Sequence, residues 1–200
     1  MSPEQLKDAL AFIERETHLR TKSYRMLSDG IQGEFLQAFS MMVKPQSVLE
    51  IGTFTGYATL CLYRGLRKDG ILDTIEIDDE MTDIYLRAFD IAGADRIRPH
   101  TGDAGNIIPA LDGQYDIVYI DADKRKYSAY YDMVFDKVRP GGWILADNLL
   151  WSGKVLQDKP PADSQTASIL EFNKKTASDT RIRRLILPIR DGLGLFNKIG

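Results

Sequence analysis

The chain has 200 residues and a formal net charge of -3, with 26 basic and 29 acidic side chains. This length suits one domain with a sizeable core, and we expect a single domain over residues 1–200. The near balance of charges excludes the strongly basic surface that is typical of proteins that bind nucleic acid or anionic membranes. Small molecules are therefore the expected partners.

The N-terminal residues predict neither a secretion signal nor a membrane anchor. They lack a basic segment followed by an apolar one, and no apolar run in the chain reaches the ~18 residues that a membrane span requires. We therefore expect a cytoplasmic protein. The single cysteine, Cys61, cannot form an internal disulfide, which agrees with a reducing compartment, and we expect it to pack in a helix.

Two helices are predicted before the first strand. The first begins at Ser2, because Ser-Pro-Glu-Gln supplies an N-cap, a favoured first helical residue and a capping-box partner. The second follows Asp29 and ends near Lys44-Pro45, since a residue before proline disfavours helical backbone. These N-terminal helices, within residues 1–45, are expected to cover the site.

From residue 47 onwards, short apolar runs alternate with segments of helical length. The runs occupy residues 47–51, 71–77, 96–100, 115–120 and 142–146, and the helical segments include 56–68, 79–92 and 127–138. Alternation of this kind predicts βαβ units around a parallel sheet. The chain contains no internal repeat and no low-complexity tract.

The last part of the chain predicts a loop, a helix and a hairpin. Two adjacent prolines, Pro160 and Pro161, exclude regular structure from the polar loop at 154–165. A helix should follow over about residues 163–178. Two strands should then flank Asp191-Gly192 as an antiparallel hairpin that closes the edge of the sheet.

Glycines bracket the turn between the first predicted strand and the helix that follows it. Gly52 and Gly56 let the backbone turn sharply, and a ligand there can meet main-chain N–H groups. Glu76 ends the second predicted strand, where an acid in a Rossmann-like sheet accepts hydrogen bonds from both ribose hydroxyls. These features together predict a nucleoside cofactor, whereas the glycines alone fit an ordinary tight turn equally well.

The pattern of this turn favours one class of nucleoside cofactor. It reads E-x-G-x-x-x-G from Glu50 to Gly56 and lacks the close glycine pair of the dinucleotide pattern G-x-G-x-x-G. A carboxylate at position 50 disfavours a pyrophosphate and suits a cofactor with a positive charge and an amine, such as S-adenosylmethionine. The turn Gly102-Asp103-Ala104 could lie against its adenine, although an ordinary turn is an equal alternative.

Four stretches of the chain resemble a known enzyme family. EIGTFTGYATL, TIEID, YIDADK and LADNLLW, in this order and spacing, are similar to the cation-dependent O-methyltransferases that include catechol and caffeoyl-CoA O-methyltransferases. The resemblance extends from about Met26 to the terminal hairpin. It implies an α/β, Rossmann-like class I methyltransferase with a seven-stranded, mostly parallel sheet, helices on both faces and an antiparallel C-terminal strand. It also implies a homodimer.

Matched residue by residue, the resemblance implies a set of cofactor contacts. The set consists of Ser28, Glu50, Gly52, Ala58, Glu76, Ala104 and Asp121. Within it, Glu50 and Gly52 match the methionine end of S-adenosylmethionine, Glu76 its ribose and Ala104 its adenine. The resemblance thus assigns the turn after the first strand to the methyl donor.

The same matching implies a metal site and a base. Asp121, Asp147 and Asn148 correspond to metal ligands, and Lys124 corresponds to the catalytic base. The three ligands end the fourth and fifth predicted strands, so they should reach the crevice where open α/β sheets bind ligands. Oxygen ligands without histidine or cysteine favour Mg2+ or another divalent cation such as Mn2+ or Ca2+. Solvated strand ends are the alternative.

The predicted activity is methyl transfer from S-adenosylmethionine to one hydroxyl of a vicinal-diol aromatic, either a catechol or a hydroxycinnamoyl-like molecule, with a cation assisting. Ala122-Asp123 stands where catechol enzymes place aromatic residues, which leaves the preferred acceptor open. A nucleotide-cofactor oxidoreductase is the alternative within enzymes. A regulatory protein that binds S-adenosylmethionine without turnover is the alternative outside them.

Overall fold

The structure of the chain, a computed structural model, describes residues 1–28 and 30–200. It divides into two compact units, Met1–Asp103 and Ala104–Gly200. Asp29, after which the second helix was predicted to begin, lies outside the described residues. In the described part of the chain, no helix has the length and apolar character needed to cross a membrane.

The first unit contains four helices and three strands among its described residues. They are α1 (Pro3–Arg20), α2 (Ile31–Val43), β1 (Ser47–Ile51), α3 (Tyr57–Tyr63), β2 (Ile71–Glu76), α4 (Thr82–Ala92) and β3 (Ile97–Thr101), with a 3-10 turn at Tyr24–Met26. β1 pairs with β2 and β2 with β3, both in parallel. The strand order within the unit is therefore β3-β2-β1.

The second unit adds three helices and four strands. They are α5 (Ala104–Ala110), β4 (Tyr115–Ile120), α6 (Tyr127–Phe135), β5 (Val138–Ala146), α7 (Ser164–Ser178), β6 (Ile182–Leu187) and β7 (Leu193–Lys198), with 3-10 turns at Lys124–Lys126 and Trp151–Leu156. β4 and β5 pair in parallel, whereas β7 is antiparallel to both β5 and β6. The predicted terminal hairpin is confirmed.

The seven strands belong to one sheet with the order β3-β2-β1-β4-β5-β7-β6. Two of its parallel strands are mostly apolar and buried: every residue from Ile117 to Ile120 in β4 is fully buried, as are Val48, Leu49 and Ile51 in β1. Continuous burial of this kind is typical of parallel strands inside α/β proteins. The mostly parallel α/β sheet with an antiparallel C-terminal strand agrees with the predicted fold class.

α1 begins where its sequence predicts. The Ser2 hydroxyl accepts the Gln5 N–H at 3.1 Å, and the Gln5 side chain accepts the Ser2 N–H at 2.8 Å, which completes the capping box. The helix buries Leu6, Ala9, Ile13 and Thr17, spaced three or four residues apart. α1 packs against α4, and Arg20 donates two hydrogen bonds to the Asp83 carboxylate at 2.6 and 3.1 Å.

α3 is shorter than predicted and completely buried. It ends at Tyr63, and Gly65 then passes so close to α2 that a β-carbon there would lie 2.1 Å from the Ser40 carbonyl carbon. The Ser40 hydroxyl donates to the Leu62 carbonyl at 2.5 Å and satisfies one acceptor at the helix end. Cys61 is fully buried in this helix, as predicted, and burial raises the pKa of its thiol.

The sequence misplaced the start of β5 and missed α5. β5 begins at Val138 rather than at residue 142, so Pro140 and Gly141 lie inside the strand. The β4–β5 register shifts between Tyr115 and Ile117, and such an irregularity tolerates proline and glycine. α5 was missed because it has only seven residues and contains Pro109, so its sequence shows no helical pattern of sufficient length.

Candidate active site

The loop between β1 and α3 is the turn that was predicted to hold the methyl donor. Gly52 and Gly56 both take positive φ angles, 105° and 88°. A β-carbon on Gly56 would lie 2.9 Å from the side chains of Tyr85 and Phe89, so glycine is required there for packing as well as for backbone conformation. Phe54 also adopts a left-handed conformation, with φ 49°. The loop is therefore tightly wound and closely packed.

Glu76, at the end of β2, fixes this loop through backbone hydrogen bonds. Its Oε2 accepts the Phe54 N–H at 2.6 Å, and its Oε1 accepts the N–H groups of Ile77 at 2.9 Å and Asp78 at 3.1 Å. Hydrogen bonds to an ionised carboxylate are stronger than neutral ones. Glu76 is thus a partly exposed carboxylate with a fixed direction, which suits an acceptor for ligand hydroxyls.

Glu50 lies in the interior of the first unit, at the end of β1. The residue is fully buried, and its Oε2 accepts hydrogen bonds from the hydroxyl of Thr74 at 2.6 Å and from that of Thr59. The Thr53 and Thr74 hydroxyls form a further hydrogen bond of 2.5 Å. These contacts join β1 to β2 and α3 beside the loop. The contact between Glu50 and the methionine end of the cofactor stays a prediction.

Ser28 and Ala58, the other cofactor residues predicted in this unit, are both buried, at 5% and 7% exposure. Gly33 in α2 lies close to both Ser28 and Tyr57, the neighbour of Ala58. A β-carbon on Gly33 would lie 2.7 Å from the Tyr57 ring and 3.1 Å from the Ser28 carbonyl oxygen. One turn of α2 therefore contacts both Ser28 and the start of α3.

A buried hydrogen bond that the sequence did not reveal joins α1 to the same loop. The Thr17 hydroxyl is within donating distance of two acceptors, the Ile13 carbonyl at 2.6 Å and the Thr55 hydroxyl at 3.1 Å. Both threonines are fully buried. The available signal was a polar residue on the otherwise apolar stripe of α1.

In the second unit, Asp121 and Asp147 leave the ends of two neighbouring strands. Ile120 of β4 is paired with Ala146 of β5, and each aspartate follows its strand directly. The Asp147 N–H donates to the Ile120 carbonyl at 3.0 Å, which extends the pairing by one residue. The Asn148 N–H donates to Asp147 Oδ1 at 2.8 Å, and Asn148 has φ 62°, a conformation that asparagine tolerates. Ala104, predicted near the adenine, is the buried first residue of α5.

This donor set fits a hard divalent cation. Mg2+ binds one or two carboxylates and completes its coordination with other oxygens. Asp147 is only 4% exposed, and a cation stabilises a carboxylate that is buried to this extent. Within residues 1–28 and 30–200, no three His, Cys, Asp or Glu side chains form a group that could hold a metal ion. The amide oxygen of Asn148 would therefore have to be the third protein ligand.

Lys124 lies next to these residues on the 3-10 turn Lys124–Lys126. It is 9% exposed, and its Nζ donates to Asp121 Oδ1 at 2.8 Å and to the Tyr127 hydroxyl at 2.7 Å. Burial, the largest single effect, lowers the pKa of the ammonium. The Asp121 charge and the hydrogen bonds to Asp121 and Tyr127 together raise the pKa above its ordinary value. Lys124 is therefore held in an ion pair with Asp121.

Tyr127 was not singled out from the sequence. It is fully buried, and its hydroxyl donates to the Ile120 carbonyl at 3.1 Å while it accepts from Lys124. Burial raises the pKa of this phenol. Its signal in the sequence is the spacing Lys-x-x-Tyr directly after the strand that carries Asp121.

Comparison with known sequences finds similarity to O-methyltransferases along nearly the whole chain. The family model described as O-methyltransferase matches residues 2–199. Caffeoyl-CoA O-methyltransferase 1 from Nicotiana tabacum is 32% identical over 215 residues, which cover 98% of this chain and 85% of that protein. Catechol O-methyltransferase from Niastella koreensis is 34% identical over 161 residues, which cover 78% and 72%.

Solved structures give the same result for the fold. Methyltransferase PaMTH1 of Podospora anserina, bound to SAH, superposes with a TM-score of 0.87 at 28% sequence identity. The superposition covers 96% of this chain and 88% of the PaMTH1 chain. O-methyltransferase TomG of Streptomyces achromogenes, involved in tomaymycin synthesis and in complex with SAM, gives 0.86 at 28% identity, with 100% and 92% covered. An O-methyltransferase from Bacillus cereus in complex with SAH gives 0.85 at 27% identity, with 99% and 92% covered.

Proposed function

We propose that this chain, which belongs to the O-methyltransferase family, transfers a methyl group from S-adenosylmethionine to one hydroxyl of an aromatic molecule with vicinal hydroxyls. Relatives named for caffeoyl-CoA and catechol support this acceptor class, and similar structures solved with SAM or SAH support the donor. The observation that carries the proposal is that Asp121 and Asp147 directly follow two paired strands, with Lys124 hydrogen-bonded to Asp121.

The methyl donor would be bound by the residues assigned from the family resemblance. The proposed contacts are Ser28, Glu50, Gly52, Ala58, Glu76, Ala104 and Asp121. Glu76 is the most specific of them, because a carboxylate whose direction is already fixed by backbone N–H groups loses little freedom when it accepts ribose hydroxyls. Gly52 would let the cofactor approach the main chain closely.

Asp121, Asp147 and Asn148 would hold a divalent cation, with Mg2+ as the first choice and Mn2+ or Ca2+ as alternatives. When bound, such an ion supplies positive charge that lowers the pKa of an acceptor hydroxyl beside it. The protein would contribute ligands from adjacent strand ends, whose spacing is fixed by the hydrogen bond between Asp147 and Ile120. The requirement for a cation can be tested independently of the acceptor's identity.

Lys124 would remove the proton from the acceptor hydroxyl. A cation bound to Asp121 would offset the negative charge that raises the pKa of Lys124, and burial would then lower that pKa toward the range in which a neutral amine forms. The proton moves to Nζ, the hydroxyl oxygen forms a bond to the methyl carbon, and the carbon–sulfur bond breaks with its electron pair on sulfur. The other product is then S-adenosylhomocysteine.

One experiment separates this proposal from its rivals. Labelled S-adenosylmethionine and Mg2+ are incubated with the protein and a panel of catechols and hydroxycinnamates, and calorimetry measures the affinities for S-adenosylhomocysteine and NAD. We expect labelled product and binding of S-adenosylhomocysteine alone. Binding of NAD alone would favour an oxidoreductase. Cofactor binding with no turnover on any acceptor would favour a regulatory protein.

We also propose a single functional domain over residues 1–200 that acts in the cytoplasm as a homodimer, with residues 1–45 covering the site. The bond between Thr17 and Thr55 supports the last point, because it joins α1 to the loop that follows β1. The homodimer rests on the family resemblance. Light scattering coupled to gel filtration measures it directly, and a mass of one chain at micromolar concentration would contradict it.

A further inference from the structure

We propose that Tyr127 is a positioning residue for this reaction and that its hydroxyl fixes the direction in which Lys124 presents Nζ. The inference rests on the proposed base role of Lys124 and adds a residue outside the predicted set. Two side chains then share the base function: Lys124 takes the proton, and Tyr127 orients Lys124.

The hydrogen-bond directions follow from the three groups involved. The Ile120 carbonyl can only accept, so the phenol hydrogen of Tyr127 is donated to it across 3.1 Å. The phenol oxygen then faces Lys124 Nζ, 2.7 Å away, as an acceptor. Asp121 Oδ1 accepts from the same nitrogen at 2.8 Å. Among the described residues, these two oxygens are the hydrogen-bond partners of Nζ.

Two acceptors leave the amine one productive orientation. Nζ has three positions besides its bond to Cε, arranged tetrahedrally. When two of them donate to Asp121 and Tyr127, the third position, through which a proton is exchanged, keeps one direction. Without the Tyr127 oxygen, rotation about the Cε–Nζ bond spreads that third position over several directions. Misalignment of this kind lowers turnover more than binding.

The tyrosine itself is held rigidly. It is the first residue of α6 and is fully buried, and its ring meets the Phe172 ring edge-on with centroids 5.4 Å apart. Because the ring cannot swing away, its oxygen is a fixed reference point for Nζ. A phenylalanine at this position would keep the ring and its packing and would remove only the oxygen.

α6 supplies a matched control at Tyr131. This tyrosine lies one turn further along the helix, is also fully buried, and meets the Phe172 ring edge-on at 5.9 Å. Its hydroxyl donates to Asp179 Oδ2 at 3.0 Å, away from Lys124. Tyr131→Phe therefore removes a comparable buried hydroxyl without touching the base.

The experiment compares Tyr127→Phe and Tyr131→Phe in the full chain with Mg2+, labelled S-adenosylmethionine and catechol as the acceptor. Turnover is expressed per site that binds S-adenosylhomocysteine in calorimetry, so partial unfolding cannot imitate a loss. We expect kcat to fall roughly 10- to 100-fold in Tyr127→Phe, with KM for the acceptor within about 2-fold, because orientation affects turnover more than binding. Tyr131→Phe should retain kcat within about 2-fold by the same argument.

A double-mutant cycle with Lys124→Met shows whether Tyr127 acts through the lysine. In the Lys124→Met background, Tyr127→Phe should cause no further loss of kcat. Equal losses in both backgrounds, or a loss in Tyr127→Phe no larger than in Tyr131→Phe, would overturn the inference while the base role stands. Wild-type turnover in Lys124→Met would instead overturn the base role, and the inference with it.

Discussion

The Glu76 carboxylate accepts the main-chain N–H of Phe54 at 2.6 Å, which connects the end of β2 to the loop after β1. Phe54 has a left-handed backbone, so this hydrogen bond helps to hold the loop in an unusual conformation. The residue predicted to recognise the ribose thus also shapes the loop predicted to hold the methionine end. Changes at Glu76 should therefore affect cofactor binding in two ways.

We expect Glu76→Ala to weaken the binding of S-adenosylhomocysteine by about tenfold or more, since bonds to a charged acceptor contribute roughly 1.5 to 3 kcal/mol each. Glu76→Asp should weaken it less, because a shorter carboxylate can still accept some of the bonds. Titration calorimetry measures both. Asp79→Ala, at an exposed carboxylate three residues away, is the control and should bind normally. Unchanged affinity in Glu76→Ala would remove the ribose role.

Turnover should require a divalent cation. A chelator should abolish wild-type activity, and Mg2+ or Mn2+ should restore it, whereas Asp121→Ala and Asp147→Ala should not be restored at the same ion concentration. Calorimetric titration with Mn2+ gives a second readout that is independent of activity. Asp116→Ala is the control, because Asp116 lies at the other end of β4 and pairs with Arg139 at 2.8 Å. Full activity of chelated enzyme would leave these aspartates as ordinary strand ends.

Lys124→Arg separates proton transfer from simple positive charge. Arginine keeps the charge but stays protonated, so Lys124→Arg should be nearly as damaging to kcat as Lys124→Ala. A positioned base commonly contributes ~100-fold to 10,000-fold, and we expect a loss in that range. The defect should shrink along a series of catechols with increasingly acidic hydroxyls, which need less help from a base. Lys126→Arg, on the same 3-10 turn, is the control. Near-normal turnover in Lys124→Arg would exclude the base role.

Thr17→Val should weaken both the fold and cofactor binding. It removes the hydroxyl that donates to the Ile13 carbonyl and to Thr55, so we expect the free energy of unfolding to fall by about 1 to 2 kcal/mol. S-adenosylhomocysteine should bind more weakly, because Thr55 lies in the loop between β1 and α3. Denaturant titration and calorimetry measure the two effects.

Thr176→Val is the matched control for that change. Thr176 is buried in α7, and its hydroxyl donates to the Phe172 carbonyl at 3.0 Å and contacts a distant side chain, Arg184, at 3.1 Å, so it resembles that of Thr17 in joining its own helix to a second element. Its replacement should lower stability by a similar amount and leave cofactor affinity unchanged. If both variants bind S-adenosylhomocysteine equally well, α1 does not support the loop.

The sequence predicted those parts of the fold that depend on local pattern. β1 and β4 were predicted with their observed bounds, because each is a mostly apolar run between polar segments. The Ser2 cap was predicted because its partners lie within one helical turn. The predicted β5 was too short, because Pro140 and Gly141 usually interrupt a strand. In the structure, the strand continues through both residues because it pairs with β4 on either side of them. The predicted family is confirmed.

The site was predicted only where the residues themselves show their chemistry. The family resemblance assigned Asp121 and Asp147, and their position as carboxylates at the ends of apolar strands is visible in the sequence. The bond between Thr17 and Thr55 joins residues 38 positions apart, and no local pattern indicates which distant hydroxyl a buried threonine meets. Tyr127 was missed for a similar reason, because an aromatic residue at the start of a helix usually serves packing alone.

Because Cys61 is fully buried, its reaction with a thiol reagent reports how often the structure around it opens. Thiol reagents attack the thiolate, which is disfavoured here because burial raises the pKa of the thiol, and α3 shields the sulfur completely. Labelling must therefore wait until α3 separates from its surroundings, and the labelling rate measures how often it does so. α3 follows directly from the loop that carries Gly52 and Gly56. A ligand bound to that loop should slow the labelling in proportion to its occupancy, so one unmodified side chain reports cofactor binding as protection from a chemical probe.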